Sequence, residues 1–272
     1  MLFTQAKIEE ELNTATLDSL PKSLILCGEY GCGRHLLLNR ISEKLGVQAK
    51  NISGLLKHEY ISELYSNPIP EILYIECDDI SEKTQNAILK LLEEPPKMAF
   101  ICILVEDTRK LLGTIVNRCI KWQISPYTRD ELSNFTDNEE VLNYARTPGQ
   151  VLKYSKLDLS GLSELCDKIL SCIAKATVPN ALSLSSKIEW TNEDTDKYPY
   201  KLFVRCLLNS AFKFFVLDDR YFLAYTLAKE LCFDMEIPNI DKKKLFENFL
   251  VKLKLAVQGE QRSENRGAEV AN

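Results

Sequence analysis

The chain has no excess of basic residues: 34 Lys and Arg stand against 39 Asp and Glu in 272 residues, a net charge of −5. Nonspecific attraction to phosphate backbones is therefore weak, which argues against a stand-alone nucleic-acid binder and leaves room only for a contact inside a larger assembly. Paired-cysteine spacing is absent too. The nine cysteines, at 27, 32, 77, 102, 119, 166, 172, 206 and 232, contain no CxxC, are odd in number, and several lie in apolar runs such as FICILV. They read as reduced core thiols of a cytoplasmic protein, not as zinc ligands or a disulfide framework. No apolar stretch follows a basic cap, and no apolar run approaches membrane-spanning length, so a soluble, non-exported chain without a membrane partner is expected.

What is present is alternation. Apolar strand-like segments and amphipathic helices succeed one another up to about Ile124, the pattern of a parallel α/β sheet. The expected strands are Ser23 to Cys27, a weak one around Val47 to Ile52, Ile72 to Glu76, Ala99 to Val105 and Cys119 to Ile124. A helix from Leu36 to Leu45 is expected to close on Gly46 as its C-cap. Right-handed crossovers place the strand C-terminal ends along one edge, where ligands of such sheets bind. Residues 159–257 read as amphipathic helices, with aromatic residues assigned to their interior, and 258–272 as a polar, disordered tail.

The stretch GEYGCGRH, Gly28 to His35, fits the phosphate-loop pattern GxxxxGK[ST] except at its two chemically critical positions. Gly28, Gly31 and Gly33 can wrap an anion ahead of a helix N-terminus. Arg34 replaces the lysine, and His35 replaces the hydroxyl that would ligate magnesium, offering a nitrogen poorly suited to a hard ion. At the end of ILYIE, the acid pair for magnesium and water activation reads Glu76 and Cys77. A thiol of ordinary pKa is a poor general base and a soft ligand, so water activation has no obvious agent. Asp78 or Asp79 in a shifted register is the alternative. The preferred reading is a strand-to-helix turn kept for shape, with ATP binding doubtful.

The most distinctive run is NAILKLLEEPP, Asn86 to Pro96. Asp79 and Glu82 are expected to cap a helix whose apolar stripe includes Ile88, Leu91 and Leu92, and Pro95 stops it. Glu93 and Glu94 then sit at the negative end of the helix dipole, costing about 0.3–1 kcal/mol each where unscreened. Breaking a local rule twice in succession suggests that something outside the helix uses those acids, which makes them interface candidates.

Four segments in order resemble one family, the AAA+ subunits of DNA polymerase clamp loaders. NAILKLLEEPP is similar to that family's NALLKTLEEPP, and EDTRKLLGTIVNRC, Glu106 to Cys119, to its region ending in TILSRC. GEYGCGRH stands at the phosphate loop and ILYIECDD at the second nucleotide motif; Thr147, Pro148 and Gly149 stand at the lid motif. Leu152 occupies the place of a nucleotide-sensing arginine, and Glu106 that of a polar sensor. These departures resemble the delta-prime branch of the DNA polymerase III loader more than the ATP-hydrolysing gamma or tau branch.

The resemblance implies an α/β AAA+ core over 1–125, a small helical lid over 126–158 and an all-α collar over 159–257 through which subunits form a ring. It implies that Arg118, in NRC, is an arginine finger acting on a neighbour's nucleotide. It implies partners: gamma/tau-like and delta-like loader subunits, the sliding clamp indirectly, and primer-template DNA within the complex, near Lys83, Thr84 and Gln85. No zinc is expected, since no cysteine lies between Arg34 and Leu73, where many relatives carry a zinc module. The competing readings are an active loader ATPase, in which Arg34 contacts the phosphates and Asp78 replaces the missing acid, and an unrelated phosphate-loop protein.

Overall fold

The computed structural model describes residues 6–14, 16, 19–56, 58–66, 69–78, 80–174, 183, 185–190, 197–237 and 240–255. Asp79 and the tail over 258–272 lie outside the described residues. The chain forms two compact units: Met1–Asp137 with Ala145–Lys153, and Asn138–Tyr144 with Tyr154–Asn272. The segment 126–158 contributes to both.

The first unit is built on five strands, β1 (Ser23–Cys27), β2 (Gln48–Asn51), β3 (Glu71–Glu76), β4 (Ala99–Val105) and β5 (Ile120–Gln123). All pair in parallel, in the order β2-β3-β4-β1-β5. Successive side chains of a strand point to opposite faces, and both faces are covered. Leu24, Leu26, Phe100, Cys102 and Leu104 pack with α1 (Ala6–Thr14) and α2 (Arg34–Leu45). Ile25, Ile101, Ile103 and Val105 pack on the other side with α3 (His58–Ser66), α4 (Glu82–Glu93) and α5 (Gly113–Val116). Every residue of β1 and β4 is buried as a result, which is why both strands are unbroken apolar runs in the sequence.

Two local expectations are corrected. The cap of α4 is Ser81, not Asp79 with Glu82: the Ser81 hydroxyl accepts the Thr84 N–H at 3.2 Å, and Glu82 is the first helical residue. Ser81 has the extended backbone, φ −67° and ψ 155°, that carries a hydroxyl over the third amide of the helix. Helix α1 was not anticipated. Its apolar content reduces to Ile8 and Leu12, one turn apart, both buried against the sheet. A long-range pair tethers it, Arg40 Nη2 donating to Glu9 Oε2 at 2.8 Å. Helix α2 starts two residues before Leu36, and it closes on Gly46 (φ 66°) as the sequence predicts.

Beyond β5, α6 (Arg129–Leu132) opens on a capping box made by Thr128 and Glu131. Helix α7 (Glu139–Tyr144) belongs to the second unit, and α8 (Pro148–Tyr154) follows. The second unit is helical: α9 (Leu159–Ala174), α10 (Tyr200–Leu217), α11 (Phe222–Asp234) and α12 over 242–255. It also contains a short parallel pair, β6 (Ile188–Glu189) with β7 (Tyr198–Pro199), that helical periodicity did not disclose. Phe203 and Phe246 meet edge to face at 5.2 Å in its interior. The interior assignment of aromatic residues fails for Phe212, Phe222 and Phe233, which are exposed. Among the described residues no helix is long and apolar enough to cross a membrane.

Candidate functional site

The C-terminal edge of the sheet gathers the glycine loop after β1, the end of β3 and the loop after β4. Gly28 donates to Val105 O at 3.1 Å, and a Cβ there would stand 2.6 Å from Cys32 Sγ. Gly31 (φ 74°) and Gly33 (φ 100°) adopt the left-handed region, so the loop reverses and delivers Arg34 as the first residue of α2. Cys32 is buried beneath the loop, and burial pushes its thiol up to about 11.

The predicted vestigial residues do come together, but they are paired with one another. Arg34 Nη1 donates to Asp78 Oδ2 at 2.8 Å, with side chains only 12% and 23% exposed. The other Asp78 oxygen accepts the Glu106 N–H and lies 3.7 Å from Lys110 Nζ, which is also 3.8 Å from Glu106 Oε2. His35 Nε2 faces Glu76 Oε1 at 3.7 Å, its ring set edge-on to Tyr74. On the loop's outer side Arg146 Nη1 is 3.4 Å from Glu29 Oε1. Each cationic or ionisable nitrogen here thus has a carboxylate partner from the same unit.

At the end of β3, Glu76 is exposed and accepts from Asn51 Nδ2 at 3.3 Å, whereas Cys77 is 1% exposed. Its N–H is tied to Leu104 O at 2.8 Å, and burial, reinforced by the Asp78 charge, pushes its thiol up to about 12. A thiol held neutral and inaccessible can neither take a proton from water nor ligate a hard cation.

The Thr147–Gly149 motif lies directly on the glycine loop. Thr147 Oγ1 donates to Tyr30 O at 2.7 Å, Gly149 N to Gly31 O at 3.1 Å, and Gln150 Nε2 to Glu29 Oε2 at 2.9 Å. The two backbones touch: a Cβ on Gly31 would lie 2.4 Å from Gly149 Cα, and the reverse holds equally. Leu152, where the resemblance placed a missing arginine, is 63% exposed.

Arg118 stands apart from this cluster, after α5. Its Nη1 donates to Thr114 O at 2.9 Å and its Nη2 to Glu93 Oε1 at 2.7 Å, with side chains 37% and 53% exposed. The last acid of α4 therefore has a use within the chain, since a guanidinium beside it offsets the unfavourable end of the helix dipole. Glu94 is the C-cap, and its carbonyl accepts from Tyr65 OH at 2.6 Å.

Sequence reasoning misplaced Gln85. It is buried and has no surface to offer DNA: Nε2 donates to Lys110 O at 2.9 Å, and Oε1 accepts from Leu112 N at 2.7 Å. Through these bonds α4 fixes the loop that carries Lys110. The available signal was a polar residue sharing the helix face of Ile88 and Leu92. Among the described residues no group of three or more His, Cys, Asp or Glu is placed to hold a metal ion.

None of the curated proteins matches the chain. Among solved structures, a DNA polymerase III gamma subunit-related protein from Thermotoga maritima is similar at 17% identity, over 92% of this chain and 99% of that one, with a TM-score of 0.45. The RuvB Holliday junction branch migration motor from Thermotoga maritima is similar at 16% identity, over 67% of this chain and 80% of that one, with a TM-score of 0.42. Residues 43–128, which run from α2 through β5 and include Cys77, Glu93 and Arg118, match the family described as DNA polymerase III, delta subunit.

Proposed function

We propose that this chain is a non-hydrolysing subunit of a DNA polymerase III clamp loader, of delta-prime type: a ring member in DNA replication that donates Arg118 to the nucleotide site of an adjacent ATPase subunit. The observation that carries this reading is Cys77. The position that must hold a water-activating acid holds a buried thiol kept neutral, while an arginine in the NRC motif stands at the surface. The family match over residues 43–128 supports the clamp-loader setting. Arg34 and Asp78, the pair on which an active ATPase would depend, neutralise each other at 2.8 Å. The partners are gamma/tau-like and delta-like loader subunits, with the sliding clamp reached through them and the chain acting in the cytoplasm. Primer-template DNA is met only in the assembly, at the N-terminus of α4 near Lys83 and Thr84.

Assembly tests the reading. The purified chain is expected to turn over no ATP alone and to co-purify in fixed stoichiometry with an ATP-hydrolysing loader subunit. Turnover by the chain alone, or failure to enter a complex with loader subunits from the same source, contradicts it.

A further inference from the structure

The cradle differs from an open phosphate site in more than its missing groups. Arg34 is the cation best placed to meet an anion over the glycine loop, at the start of α2, and an internal carboxylate already holds it at 2.8 Å. That carboxylate belongs to the residue immediately after the buried Cys77, and its second oxygen is fixed by the Glu106 N–H beside Lys110. Arg34 and Lys110 contribute two positive charges and Asp78 and Glu106 two negative ones, so the group sums to zero and offers a polyphosphate no net attraction.

We propose that Asp78 is a built-in counter-anion that occupies Arg34 in place of a phosphate, and that this residue, beyond the loss of a lysine and an acid, is what excludes di- and triphosphates from the loop. The inference deepens the non-hydrolysing reading and rests on it. Without the Asp78 charge, the same four positions sum to +1, and Arg34, 12% exposed, becomes a largely buried cation short of a partner. A buried charge without its partner is unstable relative to one that recruits an anion. The left-handed turn at Gly31 and Gly33 turns the chain into the N-terminus of α2, whose first N–H groups have no acceptor within the helix and whose dipole favours an anion on that side.

Asp78→Asn in the full chain tests this, because asparagine keeps an oxygen to accept the Glu106 N–H while it removes the charge and turns the oxygen that accepts from Arg34 into an amide donor. Calorimetric titration with inorganic pyrophosphate and with MgATP is expected to show binding about tenfold tighter or more than in the wild type, the yield of one restored charge-assisted contact. The double variant Arg34→Gln with Asp78→Asn is expected to fall back to the wild-type level. Asp78→Ser, which also retains an acceptor, takes the place of asparagine if that variant does not fold, with circular dichroism as the check. A folded variant that binds neither probe more tightly than the wild type overturns the inference and leaves the non-hydrolysing reading standing. A gain that survives loss of Arg34 overturns it too. Micromolar MgATP binding by the wild type also overturns it, whereas ATP turnover by the wild-type chain alone contradicts the underlying reading instead.

Discussion

Replacing Arg118 by alanine is expected to lower ATP turnover of the assembled complex by about 10³–10⁵-fold, the range for a guanidinium supplied in trans to a transferring phosphoryl group. The isolated variant is expected to stay folded. In the chain alone the Arg118 guanidinium hydrogen-bonds Thr114 O and Glu93, in a pair that is 37% and 53% exposed. Pairs so open to solvent contribute about 0–1 kcal/mol. The two readouts therefore separate: melting of the isolated chain moves by a few degrees at most, while turnover of the complex collapses. A complex that contains the variant at normal stoichiometry and hydrolyses ATP at the normal rate removes the finger assignment. Glu93→Gln serves as the internal control, since it releases the guanidinium without deleting it. Its expected effect on turnover is small beside that of the arginine.

Gly31→Val is expected to destabilise the first unit by about 2–5 kcal/mol, from left-handed backbone strain together with overpacking. Gly31 lies at φ 74°, where a β-branched residue is a true outlier, and its Cβ would stand 2.4 Å from Gly149 Cα and 2.9 Å from Gly149 N. Neither neighbour is a flexible side-chain tip. The backbone of 147–150 must move, and it is bonded in place through Thr147 and Gly149. Gly46→Val isolates the strain component, because Gly46 has φ 66° but nothing within 4 Å of a Cβ. Its expected cost is about 1–2 kcal/mol. Urea titrations followed by circular dichroism compare the two. Equal losses at Gly31 and Gly46 mean that the contact with Gly149 does not exist in solution.

Much of the sheet could be read from the residues alone, and the reason is physical. Strands buried on both faces leave continuous apolar runs, so SLILC and AFICILV mark β1 and β4 to the residue. Gly46 announced the end of α2 because a left-handed C-cap favours glycine. Helix α1 was illegible, since two apolar anchors and a pair to Arg40 carry it, and a pair 31 residues apart has no period. The same limit governs the site. Arg34, Cys77, Glu93 and Arg118 were each identifiable by type and position, but the Arg34–Asp78 and Glu93–Arg118 pairs span 44 and 25 residues of sequence. Only the order of the strands brings such partners together. Gln85 shows the opposite error: a polar residue was read as surface, although its place on the apolar stripe and two backbone bonds bury it.

The central claim is that this chain's own glycine loop is closed to triphosphate because its cations are already paired and its acid position is a buried thiol. Isothermal titration of MgATP into the purified wild-type chain tests it most directly. The expected result is no binding at micromolar nucleotide and no phosphate release. Saturable binding with a micromolar Kd, accompanied by turnover in the absence of any other subunit, would contradict it.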